Sequence, residues 1–220
     1  MSSYIEKSAF FKVDKSQAAK FIITLLHFVG IIGLYWEKSR PLFQVITPFH
    51  LLTVTGILLY FHRDFNKGFF GFFLFAFLTG MITEIIGVNT GLLFGDYSYS
   101  AVLGIKLYGV PLLIGLNWFL LVYLTGGIFH SLIKNDIFAS IAGAALMVLL
   151  DLSLEIVAVA LNFWQWHADT IPLSNYFTWF LIALVIQFVY RKIHFVKENK
   201  LHLVVFINLL VFFTILAIIL

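Results

Sequence analysis

Three acidic residues, Glu84, Asp151 and Glu155, interrupt stretches of chain that are otherwise apolar and long enough to cross a membrane. A charge at the centre of a bilayer costs roughly 2.5–3.5 kcal/mol even on the most lenient insertion scale. The apolar segments fall at about 19–36, 43–61, 68–88, 110–129, 137–162, 176–193 and 201–220, most of them near the ~20 residues that span a hydrocarbon core. Only 11% of the residues are charged and 61% are hydrophobic, against about 25% charged in soluble domains. These features predict an all-α, polytopic membrane protein: a bundle of about seven transmembrane helices forming a single integral-membrane domain over residues 1–220. Residues 1–18 are expected as a polar cytoplasmic tail, with no cleavable leader. The absence of cysteine excludes disulfides, thiolate metal sites and cysteine nucleophiles.

Lysine and arginine predict the orientation. Eleven of the 14 basic residues fall on one side of such a bundle, and only Lys38, Arg40 and Lys106 on the other. The positive-inside rule therefore makes the N-terminus cytoplasmic and the C-terminus external, in a multi-pass protein of the cell membrane. The net charge of +3 is read as an orientation signal and not as a nucleic-acid partner; the lipid bilayer is the expected surrounding.

On this frame the unusual residues gather towards the outer ends. With a rise of about 1.5 Å per residue, Asp151 lies about 16 Å and Glu155 about 10 Å below the outer end of the fifth segment. Spaced four apart, they share one helix face, and Glu84 approaches from the third segment. Asn117 and Trp118, then Asn175, Tyr176 and Trp179, enter from the fourth and sixth, and all five tryptophans fall at the outer ends. Aromatic belts are ordinary at membrane interfaces, and a polar network tying helices together is the plain alternative for the acids. The convergence itself argues for a site. His27 and His50 are read as core hydrogen-bonding residues without chemistry. The connection Asn89–Tyr108 is too apolar for a solvated loop and is expected to fold back as a re-entrant or interfacial lid.

Residues 83–123 and the later elements DLSLE, NFWQW and PLSNYFTWF carry a recognisable pattern. It comprises Glu84, Gly87, Thr90-Gly91, Phe94-Gly95-Asp96-Tyr97, Leu103-Gly104, Val110-Pro111 and Trp118, then Asp151, Glu155, Pro172-Leu173, Asn175-Tyr176 and Trp179. Over roughly residues 80–182 this resembles the carotenoid 1',2'-hydratase family of carotenoid biosynthesis membrane proteins, which includes γ-carotene and bisanhydrobacterioruberin hydratases. The chain departs from that pattern at Ile156-Val157, where a proline would follow the acid.

The resemblance implies addition of water to the terminal 1,2 double bond of an acyclic ψ-end, without a cofactor or metal. The substrate would be an acyclic or monocyclic C40 or C50 carotenoid, and other enzymes of the pathway are candidate protein partners. An apolar bundle disfavours the charged form of a carboxyl, and a second carboxyl nearby disfavours double ionisation. One of Asp151, Glu155 and Glu84 can then act as general acid and another as base, with Asp151 the expected acid. Thr90, Phe94, Asp96, Tyr97, Asn117, Trp118, Trp164, Trp166, Asn175, Tyr176 and Trp179 are the expected substrate-binding residues.

Four other readings compete. A lycopene or γ-carotene cyclase would share the protonation and capture the cation internally. A prenyl-transferring elongase would need aspartate-rich diphosphate motifs, and a di-iron hydroxylase would need clustered histidines. A carotenoid-binding scaffold or proton pathway would need no general acid.

Overall fold

The computed structural model describes residues 14–168 and 170–220; within the expected tail 1–18, residues 1–13, with Lys7 and Lys12, lie outside the described residues. The described residues form seven helices: α1 (Lys15–Tyr35), α2 (Arg40–Tyr60), α3 (Lys67–Thr90), α4 (Leu112–Leu132), α5 (Asp136–Ala160), α6 (Leu173–Lys192) and α7 (His202–Ile219). All seven are long and apolar enough to cross a membrane, and the protein is an all-α, multi-pass bundle. α1 starts three residues before the expected end of the polar tail. The Asp14 carboxylate accepts the Ser16 amide at 3.1 Å and satisfies one of the donors that a helix start leaves free. Asn66 caps α3 and Asn135 caps α5 through the amides of Ile137 and Phe138 in the same way.

α4 is the axis of the bundle. Every residue from Trp118 to Gly126 is buried, so this helix is apolar all round because other helices surround it. The outer faces of its neighbours carry exposed Phe21, Phe28, Phe49, Phe70 and Phe177, as lipid-facing surfaces should. α2 is the loosest element, with 17% of its span buried. It carries an internal proline, Pro48, and two long-range ties: the Gln44 side-chain amide donates to the Leu161 carbonyl at 2.6 Å, and the Leu58 carbonyl accepts from the Asn199 side-chain amide at 2.8 Å.

The α3–α4 connection folds over one end of the bundle, as expected of a lid, but as strands. β1 (Tyr97–Tyr99) pairs antiparallel with β4 (Trp164–Trp166), which lies in the α5–α6 connection. β2 (Lys106–Leu107) and β3 (Val110–Pro111) form a small hairpin beside it. The register sets Tyr97 opposite Trp166 and Tyr99 opposite Trp164. Side chains alternate across a strand, so these four rings share the face turned to the helices while Ser98 and Gln165 face outward and are exposed. At the other end of the bundle, Arg191 and Lys192 reach Asp136 at 2.9 and 2.7 Å. The basic residues of the 61–66, 133–135 and 193–201 connections, and Lys67 at the start of α3, belong to that end.

The cysteine-free sequence makes the expected orientation simple to test in intact cells. An impermeant thiol reagent should label Lys38→Cys from outside and reach Glu198→Cys only after the membrane is opened; the reverse pattern would invert the assignment.

Candidate functional site

All three carboxyl groups are buried, with residue exposures of 2% for Glu84, 1% for Asp151 and 3% for Glu155. Unpaired, each would be prohibitively costly there, and the surrounding residues supply hydrogen-bond donors. Glu84 Oε2 accepts the hydroxyls of Tyr97 at 2.5 Å and Tyr99 at 2.8 Å, while Oε1 accepts the Trp118 indole N–H at 3.1 Å. Glu155 Oε2 accepts the indoles of Trp164 and Trp166, both at 2.9 Å. The Asn175 side-chain amide donates to Glu155 Oε1 and to Asp151 Oδ2, each at 3.2 Å. Of the six oxygens, only Asp151 Oδ1 has no partner among the described residues.

Aromatic stacking fixes the donors. Trp118 lies on Trp179 with ring centroids 4.4 Å apart and planes 25° from parallel. Tyr97 packs on Trp166 at 5.0 Å and Tyr99 on Trp164 at 5.6 Å, so the β1–β4 pairing brings the Glu84 donors against the Glu155 donors. Close backbone approach is required at two positions. A Cβ on Gly80 would come within 2.5 Å of the Trp118 ring, and one on Gly87 within 2.7 Å of Phe94 and 3.1 Å of the Tyr97 hydroxyl oxygen.

Two cavities meet at this cluster. One, of about 20 Å³, is walled by Glu84, Glu155, Tyr97, Tyr99, Asn175 and neighbouring aromatic rings; a single water needs about 10–15 Å³ on such a measure. The other, of about 250 Å³, is almost wholly apolar and lies between α1, α2, α4, α5 and α7. Ile114, Asn117, Leu154 and Trp164 belong to the lining of both. Among the residues that line the apolar cavity, Val29 on α1 and Ile46 on α2 are exposed on the outer surface. Each lies six residues from the α1–α2 connection, at Tyr35 and Arg40, so the pair marks a side opening at one height.

The expected site residues divide accordingly. Glu84, Glu155, Phe94, Tyr97, Asn117, Trp164, Trp166, Asn175 and Trp179 line the small cavity; Trp118 bonds Glu84 from beneath. Asp151 lines neither cavity and reaches the cluster through Asn175. Tyr176 is half-buried beside Asn175, outside both linings. Two residues stand apart. Thr90 is exposed at the end of α3, bonding the Ile86 carbonyl. Asp96 holds His167 at 2.9 Å on the solvent side of the lid. There it closes the edge of the β1–β4 pair, together with the bond from the His167 amide to the Asp96 carbonyl.

Sequence reasoning missed Tyr99, His167 and the apolar cavity. Tyr99 had a readable signal: YSY and WQW are both aromatic–polar–aromatic triplets with the period of a strand. The other half of the bundle also carries buried polar contacts. There, Gln187 bonds Thr125 at 2.6 Å and His62 meets the Tyr123 hydroxyl at 2.8 Å.

The described residues thus form a multi-helix membrane bundle with a water-sized acidic chamber beside an apolar one. The chain belongs to the carotenoid biosynthesis protein family, whose pattern matches residues 45–220, and its role lies in carotenoid biosynthesis. No curated protein and no solved structure matches the chain.

Two predictions follow from the donor geometry. Gly87→Val should drive Phe94 and Tyr97 away from Glu84 and cost about 1–3 kcal/mol of stability, read as a lowered unfolding temperature in detergent. Burial, followed by the Glu84 charge, pushes the Tyr97 and Tyr99 phenols above their ordinary range. The folded protein therefore keeps protons that the unfolded chain loses near pH 10. Stability from this source is complete below about pH 10 and falls as the pH rises further. Thermal unfolding across that range should fall less steeply in the Tyr97→Phe/Tyr99→Phe double variant.

Proposed function

We propose that the protein adds water to the terminal double bond of a carotenoid ψ-end. The observation that carries this reading is the shared wall. A chamber sized for one water and lined by carboxyl groups adjoins a chamber sized and lined for a hydrocarbon end group. Cyclisation would need the acid but no place for water, which favours hydration.

In the proposed reaction the end group lies in the apolar chamber against Leu154 and Trp164. The proton of the Asp151–Glu155 pair leaves for the alkene from Glu155, which faces the small chamber; Asp151, held by the same Asn175 amide, is the second carboxyl that keeps the pair from ionising fully. The π bond breaks as the new C–H bond forms, leaving a tertiary cation on the neighbouring carbon. The Trp164 ring and the carboxylate charge stabilise that cation; a desolvated cation–π contact contributes about 2 kcal/mol. Water held by Asn117, Glu84 and Glu155 forms the C–O bond, and its surplus proton passes to a carboxylate. Proton return to Glu155 restores the starting state, so the net change is one water added. Glu84, already accepting three donors, serves as the fixed negative charge of the chamber. The cavity opening between Val29 and Ile46 lets the long polyene remain in lipid while its end reacts.

Co-expression in a bacterial host that accumulates lycopene or γ-carotene tests the reading by chromatography and mass spectrometry of the pigments. The expected product carries one added water. Asp151→Asn and Glu155→Gln should each lower its yield at least about 100-fold, as loss of a general acid or base does. A new ring at unchanged mass would replace hydration by cyclisation.

A further inference from the structure

The end of the bundle away from the carboxyl cluster holds a third cavity, of about 630 Å³, within the size range of small-ligand sites. It lies where α1 and α7 begin and α4 ends, with Lys15, Leu203 and Leu132 on its walls. The ends of helices that just span a bilayer fall at the level of the lipid headgroups. Four basic side chains line the cavity, Lys15, Arg63, Lys197 and Lys200, against two acids, Asp14 and Glu198. None of the four cations is in a salt bridge among the described residues. Asp14 is already engaged as the cap of α1, accepting the Ser16 amide and hydroxyl at 3.1 and 3.2 Å.

Lys197 is the unusual cation. It is 5% exposed; its ammonium donates to the Ile193 carbonyl at 2.6 Å and lies over the Phe195 ring, 4.6 Å from the centroid. A buried charge without a counter-ion is costly, and burial followed by the Arg191 charge lowers the basicity of this lysine. Arg63 and Lys200 are exposed. The rim between them and the lipid is apolar, with Leu132 70% and Leu203 55% exposed.

An occupant that answers these features carries net negative charge on oxygens that an arginine fork can meet, and brings apolar chains to Leu132 and Leu203. A zwitterionic headgroup adds an ammonium where cations are already in excess, and a soluble anion leaves the apolar rim unused. We propose that this cavity binds the phosphate headgroup of an anionic phospholipid. Arg63 and Lys200 meet the phosphate, Lys197 supplies positive charge from beneath, and the acyl chains pass over Leu132 and Leu203. Basic pockets between transmembrane helices take anionic headgroups in this manner. The site shares no lining residue with either chamber of the proposed reaction and does not depend on that reaction.

Native mass spectrometry of the full chain in detergent, offered equimolar phosphatidylglycerol and phosphatidylcholine with the same acyl chains, reads the preference. Four cations against two acids leave an excess of two, which gives roughly a 5- to 30-fold preference for phosphatidylglycerol. Arg63→Gln/Lys200→Gln should bring the ratio to about 1. Lys67→Gln/Lys134→Gln removes the same charge from exposed positions at the same end but outside the cavity, and should leave the ratio unchanged. A wild-type ratio near 1 overturns the site. An equal loss in both double variants also overturns it, because the preference would then belong to the general charge of that end. Glycerol phosphate in excess, which carries the phosphate without the chains, should leave the lipid bound. Displacement of the lipid by glycerol phosphate would make the occupant a soluble phosphate ester and overturn the lipid assignment.

Discussion

Three carboxyl groups buried at one end of an apolar bundle must be met by hydrogen-bond donors, and much of the architecture at that end follows from this. Five donors come from aromatic side chains: two phenols and one indole on Glu84, two indoles on Glu155. Phenol and indole rings suit the position because each offers one polar tip on a large apolar body, so the donors arrive without bringing further unpaired groups into the core. The lid depends on the same contacts. Two three-residue strands would have little stability alone; with four inward rings anchored to buried carboxylates they become part of the core.

The dependence runs in both directions. Without Glu84, the Tyr97 and Tyr99 hydroxyls would lie buried with no acceptor, and without the lid the carboxylates would face lipid or water. Glycine at positions 80 and 87 lets Trp118 and Tyr97 come close enough to bond Glu84. Asp96 and His167 hold the strand pair from outside, where the pairing is exposed and contributes modestly. The site is thus built from elements far apart in sequence, Glu84 to Glu155 and their donors, joined by one short antiparallel register.

Rigidity is unevenly distributed. α4, α5 and α6 pack closely around the cluster, whereas α2 is mostly exposed, contains a proline and stands across the apolar cavity from α4 and α5. Local opening is easiest where buried contacts are few, and of the helices around the apolar cavity α2 has the smallest buried share, 17%.

The helix count, their boundaries to within a few residues, and the segregation of basic residues were legible in the sequence, because hydropathy over some twenty residues is a local property that the bilayer reads directly. Asp151 and Glu155 on one face followed from spacing alone, and the family resemblance marked the elements that meet at the site. Thr90 and Asp96 showed the limit: both sit within the family pattern, yet the fold turns them outward, one ending a helix and the other closing the lid edge. The meeting of Tyr97 and Tyr99 with Trp164 and Trp166, the sharing of Asn175 between two carboxyls, and the apolar chamber with its unpaired His27 were decided only in three dimensions. Each depends on which residues of distant segments come into register, and on the space that imperfect packing leaves between them, and neither quantity is carried by the composition or spacing of any one segment.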